Sequence, residues 1–164
     1  MKAAELETLY RAHFQKVYSY VYYRVLNPSV AEDITSDVFV KVVKHHDGFD
    51  PSRASFSTWI MRIAHNALVD HYRTRKTCAS IEELGSSEPL CVDDYPALDE
   101  RQAQVARLLS HLSSEDREIV FLKFHEEMKN VEIAELLGMN PATVATRVRR
   151  ALQTMRSHMQ EAGR

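Results

Sequence analysis

Helical periodicity runs through most of this 164-residue sequence and breaks down over residues 77–100. Apolar residues recur every three or four positions from Leu6 to Val25, which is the spacing of one buried face of a helix. The break contains two prolines, a glycine and seven acidic residues, a composition typical of a linker. The sequence therefore predicts an all-α fold with two small helical domains, residues 1–76 and 101–164, joined by a flexible acidic linker at 77–100.

The first domain is predicted to contain three helices separated by local stop signals. Asn27 and Pro28 end the first helix, and a capping box from Ser29 to Glu32 predicts the start of the second. A polar loop then leads into a long helix, predicted from about Phe56 to Arg75. Phe56 and Trp59 fall on the apolar face of this helix and are expected in the core.

The strongest local pattern of the sequence lies in the second domain. Residues 130–137 form an amphipathic segment that ends at Gly138, and Asn140 followed by Pro141 provides an N-cap and a first-turn proline for a second helix. The pattern predicts a helix-turn-helix, in which the second helix enters the major groove of DNA.

The helix that begins at Pro141 has an apolar side and a basic side. Val144, Val148, Leu152 and Met155 lie within about 80° of one another around the helix axis and are predicted to be buried. Although the whole chain has a net charge of −2, residues 141–164 hold five arginines against one glutamate, and arginine can bind guanine bidentately. We expect DNA contacts at the helix start and on the opposite side, from Asn140, Ala142, Thr143, Thr146, Arg147, Arg149 and Arg150. The alternative is the solvated surface of an ordinary helical pair.

Composition and motifs argue against several other classes of protein. Two cysteines, Cys78 and Cys91, cannot form a disulfide framework, and neither lies in a tight metal-ligand spacing. The sequence has no glycine-rich nucleotide loop and no recognisable nucleophile–base set, so we expect neither an enzyme nor a bound cofactor or metal. No apolar run approaches the roughly 18 residues of a membrane span, and the N-terminus lacks the apolar stretch of a secretory signal. We therefore expect a cytoplasmic protein.

Motifs in both halves of the sequence resemble those of one protein family. They are AEDITSDVF at 31–39, FDP at 49–51, FSTWIMRIAHNALVDHYR at 56–73, LSSEDRE at 112–118, IAELLG at 133–138, TV at 143–144 and RVRRA at 147–151. In these motifs and their order the sequence resembles the extracytoplasmic-function (ECF) sigma factors of bacterial RNA polymerase over nearly its whole length. The resemblance implies a transcription initiation factor that binds core RNA polymerase and directs it to promoter DNA.

The resemblance also implies a division of labour between the two domains. The first would read and melt the minus-ten element, and the second would read the minus-thirty-five element as a duplex. Melting requires positive charge and polar groups that hold an extruded base and a single-stranded backbone. The polar loop and the long helix of the first domain supply such groups, and we expect minus-ten contacts from Arg53, Ser55, Thr58, Arg62, His65, Arg73, Arg75 and Lys76.

By the same resemblance, the second helix of the first domain would dock on core polymerase. The expected contact residues combine acidic, polar and apolar side chains: Glu32, Asp33, Ser36, Asp37, Val38, Phe39 and Val42. Acidic residues near a helix start are also favoured by the helix dipole, so local stabilisation is an alternative role for some of them. An exposed docking surface further implies an anti-sigma factor that holds the protein inactive until a stress or environmental signal arrives.

A DNA-binding repressor, or the output domain of a response regulator, is the competing hypothesis. Such a protein would act as a homodimer on a palindromic site, without polymerase. It gives no reason to combine an acidic and apolar helix with a basic, tryptophan-containing helix within residues 29–76. The sigma-factor hypothesis is therefore favoured.

Overall fold

The computed structural model describes residues 3–79 and 100–162, and both stretches are largely helical. Their seven α-helices are α1 Ala3–Val25, α2 Pro28–His45, α3 Phe56–Ala79, α4 Glu100–Ser110, α5 Ser114–Phe124, α6 Asn130–Leu137 and α7 Pro141–Ala162. A short 3₁₀ turn, His46–Gly48, follows α2, and the described part of the chain contains no strand. The predicted all-α fold is therefore confirmed.

Contacts within the chain separate it into two compact units. Unit 1 contains the residues up to Val21 and those from Ser29 to the end of α3. Unit 2 contains α4 to α7 together with the short segment Tyr22–Pro28. Most of the predicted linker lies outside the described residues, and the boundaries at 76 and 101 stay predictions.

The junction between α1 and α2 is formed by one left-handed residue and one proline. Leu26 has φ 53°, and its amide donates to the Tyr22 carbonyl at 2.6 Å, which closes the last turn of α1. Pro28 then begins α2, a position where its fixed φ and missing N–H cost nothing. The capping role predicted for Ser29 is wrong, because Ser29 already lies in the first turn of α2.

The core of unit 1 is built from the apolar faces of its three helices. Its buried side chains include Val17, Tyr20 and Val21 from α1, Ala31, Ile34, Val38, Phe39 and Val42 from α2, and Ile60, Met61, Ala64, Ala67 and Leu68 from α3. The buried positions on α2 and α3 follow the three- and four-residue spacing of a helix face. This packing fixes the opposite faces of α2 and α3 toward solvent.

A pH dependence of stability follows from two histidines of unit 1. Burial, assisted by the charge of Arg75, lowers the pKa of His71, and burial with the charge of Lys16 lowers that of His13. The unfolded chain therefore binds more protons than the folded chain as the pH falls below about 6.5, and stability is lost there. Urea unfolding at pH 7.5 and 5.5 should show this loss, and His71→Gln should reduce it. His45→Gln, at an exposed position, is the control; equal pH dependence in both variants would contradict the assignment.

In unit 2 the helix α5 carries much of the core. Ser113 caps it, since its hydroxyl accepts from the Asp116 amide at 3.1 Å. Ile119 and Leu122 of α5 are fully buried, as are Ile133 of α6 and Val144 of α7. The core therefore fixes α6 and α7 against the rest of unit 2.

Gly138 makes the tight turn between α6 and α7. Its φ of 66° and ψ of 37° are left-handed values that glycine adopts without steric cost. The amide of Met139 donates to the Ala134 carbonyl at 2.8 Å, which satisfies a carbonyl at the end of α6. The predicted helix-turn-helix, with helices from Asn130 and from Pro141, is confirmed.

The predicted buried side of α7 is partly wrong. Val144 is fully buried, but Leu152 is 39% exposed, and Ala151 occupies the buried position beside it. Leu152 and Met155 contribute instead to an apolar cavity of about 340 Å³ in unit 2. Leu152 faces Val105 of α4 and Phe124 of α5 across this cavity, and the cavity leaves its side chain partly exposed.

Candidate nucleic-acid interface

The first turn of α7 is held by the residue that precedes it. The side-chain oxygen of Asn140 accepts from the Ala142 amide at 2.8 Å, the expected N-cap bond. Ala142 and Thr143 are exposed in this turn. The start of α7 therefore presents small side chains, which allow close approach by a phosphate, although Pro141 has no amide hydrogen and the Ala142 amide is engaged by Asn140.

Unpaired arginines lie on the solvent side of α7, and two of them, Arg149 and Arg150, belong to the predicted DNA-binding set. Arg149 and Arg150 are exposed, and neither guanidinium has a hydrogen bond or ion pair with any described residue. Thr146 is half-buried, and its hydroxyl donates to the Ala142 carbonyl at 3.0 Å. The side of α7 with Ala142, Thr143, Arg149 and Arg150 thus combines positive charge with low bulk, as sequence reasoning predicted for a helix that enters a groove.

Arg147 is placed differently from the other predicted DNA-binding residues. Its Nε donates to Asp116 Oδ1 at 2.7 Å and its Nη1 to Glu115 Oε2 at 2.8 Å, and its side chain is 25% exposed. Partial burial lowers the pKa of Arg147, but the hydrogen bonds to the two carboxylates outweigh it and raise the pKa. Arg147 therefore joins α7 to the start of α5, a contact that the sequence could not reveal.

In unit 1, hydrogen bonds organise the loop before α3. Asp50 accepts from the amide of Ser52 at 2.9 Å and from its hydroxyl at 2.7 Å, and these bonds lower the pKa of Asp50. Ser55 caps α3 by accepting from the Thr58 amide at 3.1 Å, with the two hydroxyls 2.9 Å apart. Arg53 is exposed, 3.5 Å from Asp50. The loop thus presents three predicted minus-ten residues, Arg53, Ser55 and Thr58, in one ordered region.

An aromatic cluster supports this loop. The ring centre of Phe49 lies 5.4 Å from that of Phe56, in an edge-on arrangement, and 5.2 Å from that of Trp59. His13 of α1 lies 5.0 Å from Phe56. Phe56 and Trp59 were expected in the core. They are half-buried, and their contacts with Phe49 anchor the loop to α3.

The remaining predicted minus-ten residues follow along α3. Arg62, Arg73 and Arg75 are exposed and His65 is half-buried, while the side chain of Lys76 lies outside the described part of the structure. At a rise of about 1.5 Å per residue, Thr58 and Arg75 are separated by about 25 Å. The predicted residues therefore form an extended track along α3 and not one compact site.

The predicted polymerase-docking residues of α2 fall on two different sides of the helix. Glu32, Asp33, Ser36 and Asp37 are exposed. Val38, Phe39 and Val42 are only 0%, 6% and 0% exposed, because they pack into the core of unit 1. These three side chains are therefore not part of an exposed docking surface, and their prediction as polymerase contacts is wrong.

Two valines missed by sequence reasoning lie on the exposed side of α2 instead. Val40 is 50% exposed and Val43 46% exposed. Val40 follows Asp33 by seven residues, and Val43 follows Ser36 by seven, so each lies two turns further along the same face. Helical spacing counted from Asp33 for Val40, and from Ser36 for Val43, was the signal that could have found them.

The described residues offer neither a membrane span nor a cluster of metal ligands. None of the described helices is long and apolar enough to cross a membrane. Within residues 3–79 and 100–162, no group of three or more histidine, cysteine, aspartate or glutamate side chains could hold a metal ion. The side chain of Cys78 and the whole of Cys91 lie outside the described part of the structure.

Comparisons with known proteins agree with the two-unit organisation. Residues 9–77 match the family model for Sigma-70 region 2, and residues 102–155 match that for Sigma-70, region 4. The ECF RNA polymerase sigma factor SigK of Mycolicibacterium vanbaalenii is 28% identical over 146 residues, which cover 86% of this chain and 74% of SigK. SigW of Bacillus subtilis, another ECF sigma factor, is 27% identical over 170 residues, covering 96% of this chain and 89% of SigW.

A solved structure shares the fold. The sigma factor RpoE of Bartonella quintana, crystallised in complex with the anti-sigma factor NepR, superposes with a TM-score of 0.78 at 18% identity, covering 95% of this chain and 97% of RpoE. The matches to regions 2 and 4 occur in order along the chain, and the relatives are similar over most of their length. The chain is a member of the extracytoplasmic-function family of RNA polymerase sigma factors.

Proposed function

We propose that this protein binds core RNA polymerase and directs it to promoters, with α7 reading the minus-thirty-five element. The observation that carries the proposal is the pair of unpaired, exposed arginines on the second helix of a helix-turn-helix. A guanidinium can donate two hydrogen bonds to O6 and N7 of one guanine in the major groove. Arg149 and Arg150, with the small residues Ala142 and Thr143 at the helix start, are the proposed contact set. Asn140 and Thr146, whose side-chain oxygens bond within the helix, would contribute at its edge.

Unit 1 is proposed to recognise and hold open the minus-ten element. Support comes from the ordered loop with Arg53, Ser55 and Thr58 and from the arginines that follow along α3. The positive charge along α3 extends from Arg62 to Arg75, over about 20 Å, which suits a single-stranded backbone better than one base. The half-buried Phe56 and Trp59 pack against Phe49, which precedes the loop, so they would act on DNA only through the position of the loop.

Run-off transcription tests the proposal directly. The purified chain is added to core RNA polymerase on fragmented genomic DNA, and the transcript starts are mapped. Discrete starts that depend on the chain are expected. A repressor would give none and would bind a palindromic duplex as a homodimer without polymerase, which is the result that favours the competing hypothesis.

Docking on core polymerase is proposed to use the exposed face of α2, which combines Asp33, Ser36 and Asp37 with Val40 and Val43. We expect Val40→Asp to weaken the affinity for core polymerase about tenfold, or about 1.4 kcal/mol, because it removes an apolar contact and adds an unpaired charge at the interface. Val69→Asp is the matched control, since Val69 is an exposed valine of α3 in the same unit. Equal affinities of the two variants, measured by fluorescence anisotropy, would exclude this face.

An anti-sigma factor is the proposed regulator, and the cytoplasm the proposed location. RpoE of Bartonella quintana, which shares the fold, was crystallised with such a partner. An exposed docking face with apolar side chains such as Val40 and Val43 is a surface that a protein inhibitor can cover. Native mass spectrometry of the chain purified from its own cells should show a second protein whose release restores transcription. Isolation as a single chain under both stressed and unstressed growth would contradict this.

A further inference from the structure

Arg147 lies at the edge of the DNA-facing side of α7, but its guanidinium points to α5. It is one turn from Thr143 and three residues from Arg150 along the helix. Nε is engaged by Asp116 at 2.7 Å and Nη1 by Glu115 at 2.8 Å. Bidentate binding of guanine needs two neighbouring nitrogens at the side or the end of the guanidinium. Each of these edges has at least one nitrogen already engaged.

The two carboxylates lie at the start of α5, and one of them is held there by the helix cap. Asp116 accepts a hydrogen bond from the Ser113 hydroxyl at 2.8 Å, and its own amide donates to the Ser113 oxygen at 3.1 Å. Both acids lie in the first turn of α5, where the helix dipole favours negative charge. Asp116 is therefore held by Ser113 independently of Arg147, and without Arg147 both acids would stand as uncompensated charges beside α7.

We infer that Arg147 acts on promoter DNA through Glu115 and Asp116, as a positioning residue that neutralises their charge beside the recognition helix and does not itself contact DNA. The inference rests on the proposed role of α7 at the minus-thirty-five element. The physical reason for the inference is electrostatic. Carboxylates near a DNA backbone repel its phosphates, and the adjacent positive charge of Arg147 reduces this repulsion.

A cycle of substitutions separates this role from direct contact. The readout is the affinity of the full chain, assembled with core polymerase, for a promoter duplex on which the wild-type chain initiates. Arg147→Gln should weaken binding about tenfold in the wild-type background. In the Glu115→Gln, Asp116→Asn background, the same substitution should weaken binding less than about twofold, because no uncompensated charge is left. A loss of equal size in both backgrounds would overturn the inference.

Two further variants serve as controls. Arg150→Gln, a proposed base contact, should lose about tenfold in both backgrounds. Arg147→Lys keeps the positive charge but cannot bind guanine bidentately. We expect this variant to bind DNA within about twofold of wild type. A tenfold loss of affinity, with its helical circular dichroism intact, would also overturn the inference. Failure of the wild-type chain to initiate anywhere would overturn the proposed function and this inference together. If the wild-type chain initiates normally but the Glu115→Gln, Asp116→Asn background does not reduce the affinity loss caused by Arg147→Gln, the inference alone is overturned.

Discussion

Replacing Arg150 with alanine is expected to weaken promoter binding by about 1–3 kcal/mol and to relax the preference at one base pair of the minus-thirty-five element. Arg150 is exposed on the DNA-facing side of α7 and has no partner among the described residues, so its guanidinium needs no rearrangement to meet a guanine. The loss should be confined to promoters that carry the preferred base. On a promoter with that base pair changed, wild type and variant should bind alike.

The measurement is the affinity of the reconstituted holoenzyme for a set of duplexes with each base pair of the element changed in turn. Arg156→Ala is the matched control, because Arg156 is an exposed arginine of the same helix that was not predicted to contact DNA. A loss that is equal on every duplex would reassign Arg150 to phosphate contact. Equal behaviour of the Arg150 and Arg156 variants would remove Arg150 from the interface.

Replacing Ile133 with alanine is expected to destabilise unit 2 by about 2–5 kcal/mol. Ile133 is fully buried where α6 joins the core of unit 2, so truncation removes apolar contacts and leaves a cavity. A small helical unit has only a few kcal/mol of stability to lose. The variant should therefore fail to hold the helix-turn-helix and should lose minus-thirty-five recognition at physiological temperature.

Urea unfolding followed by circular dichroism measures this loss. Val131→Ala, on the same helix, is the control, because Val131 is 64% exposed and its truncation should change stability by less than about 0.5 kcal/mol. A similar unfolding midpoint for the two variants would show that α6 is not anchored through Ile133.

Local signals in the sequence predicted the helix-turn-helix. Gly138 permits the left-handed turn, and the pair Asn140 and Pro141 marks the start of α7. These effects act within a few residues, so no knowledge of the rest of the chain is needed to see them. The same holds for the break between α1 and α2, where only the residue that begins α2 was predicted wrongly.

Side-chain roles on α2 and α7 could not be obtained in this way. Val38, Phe39 and Val42 belong to a helix that is apolar over a wide arc, and only packing against the other helices of unit 1 shows that they are buried while Val40 and Val43 are exposed. Exposure of Leu152 was missed for the same reason. Each of these outcomes depends on which part of a helix surface its neighbours cover.

Periodicity, turn residues and charge distribution determined by themselves that this chain is helical, that it has a helix-turn-helix and that α7 is basic. Tertiary structure alone decided which basic residues stay available: Arg149 and Arg150 remain exposed, whereas Arg147 is engaged by Glu115 and Asp116, 32 and 31 residues earlier in the chain. The physical reason is the distance along the chain over which each interaction acts. Helix starts and ends depend on hydrogen bonds a few residues apart, but an ion pair between helices depends on how the whole unit packs.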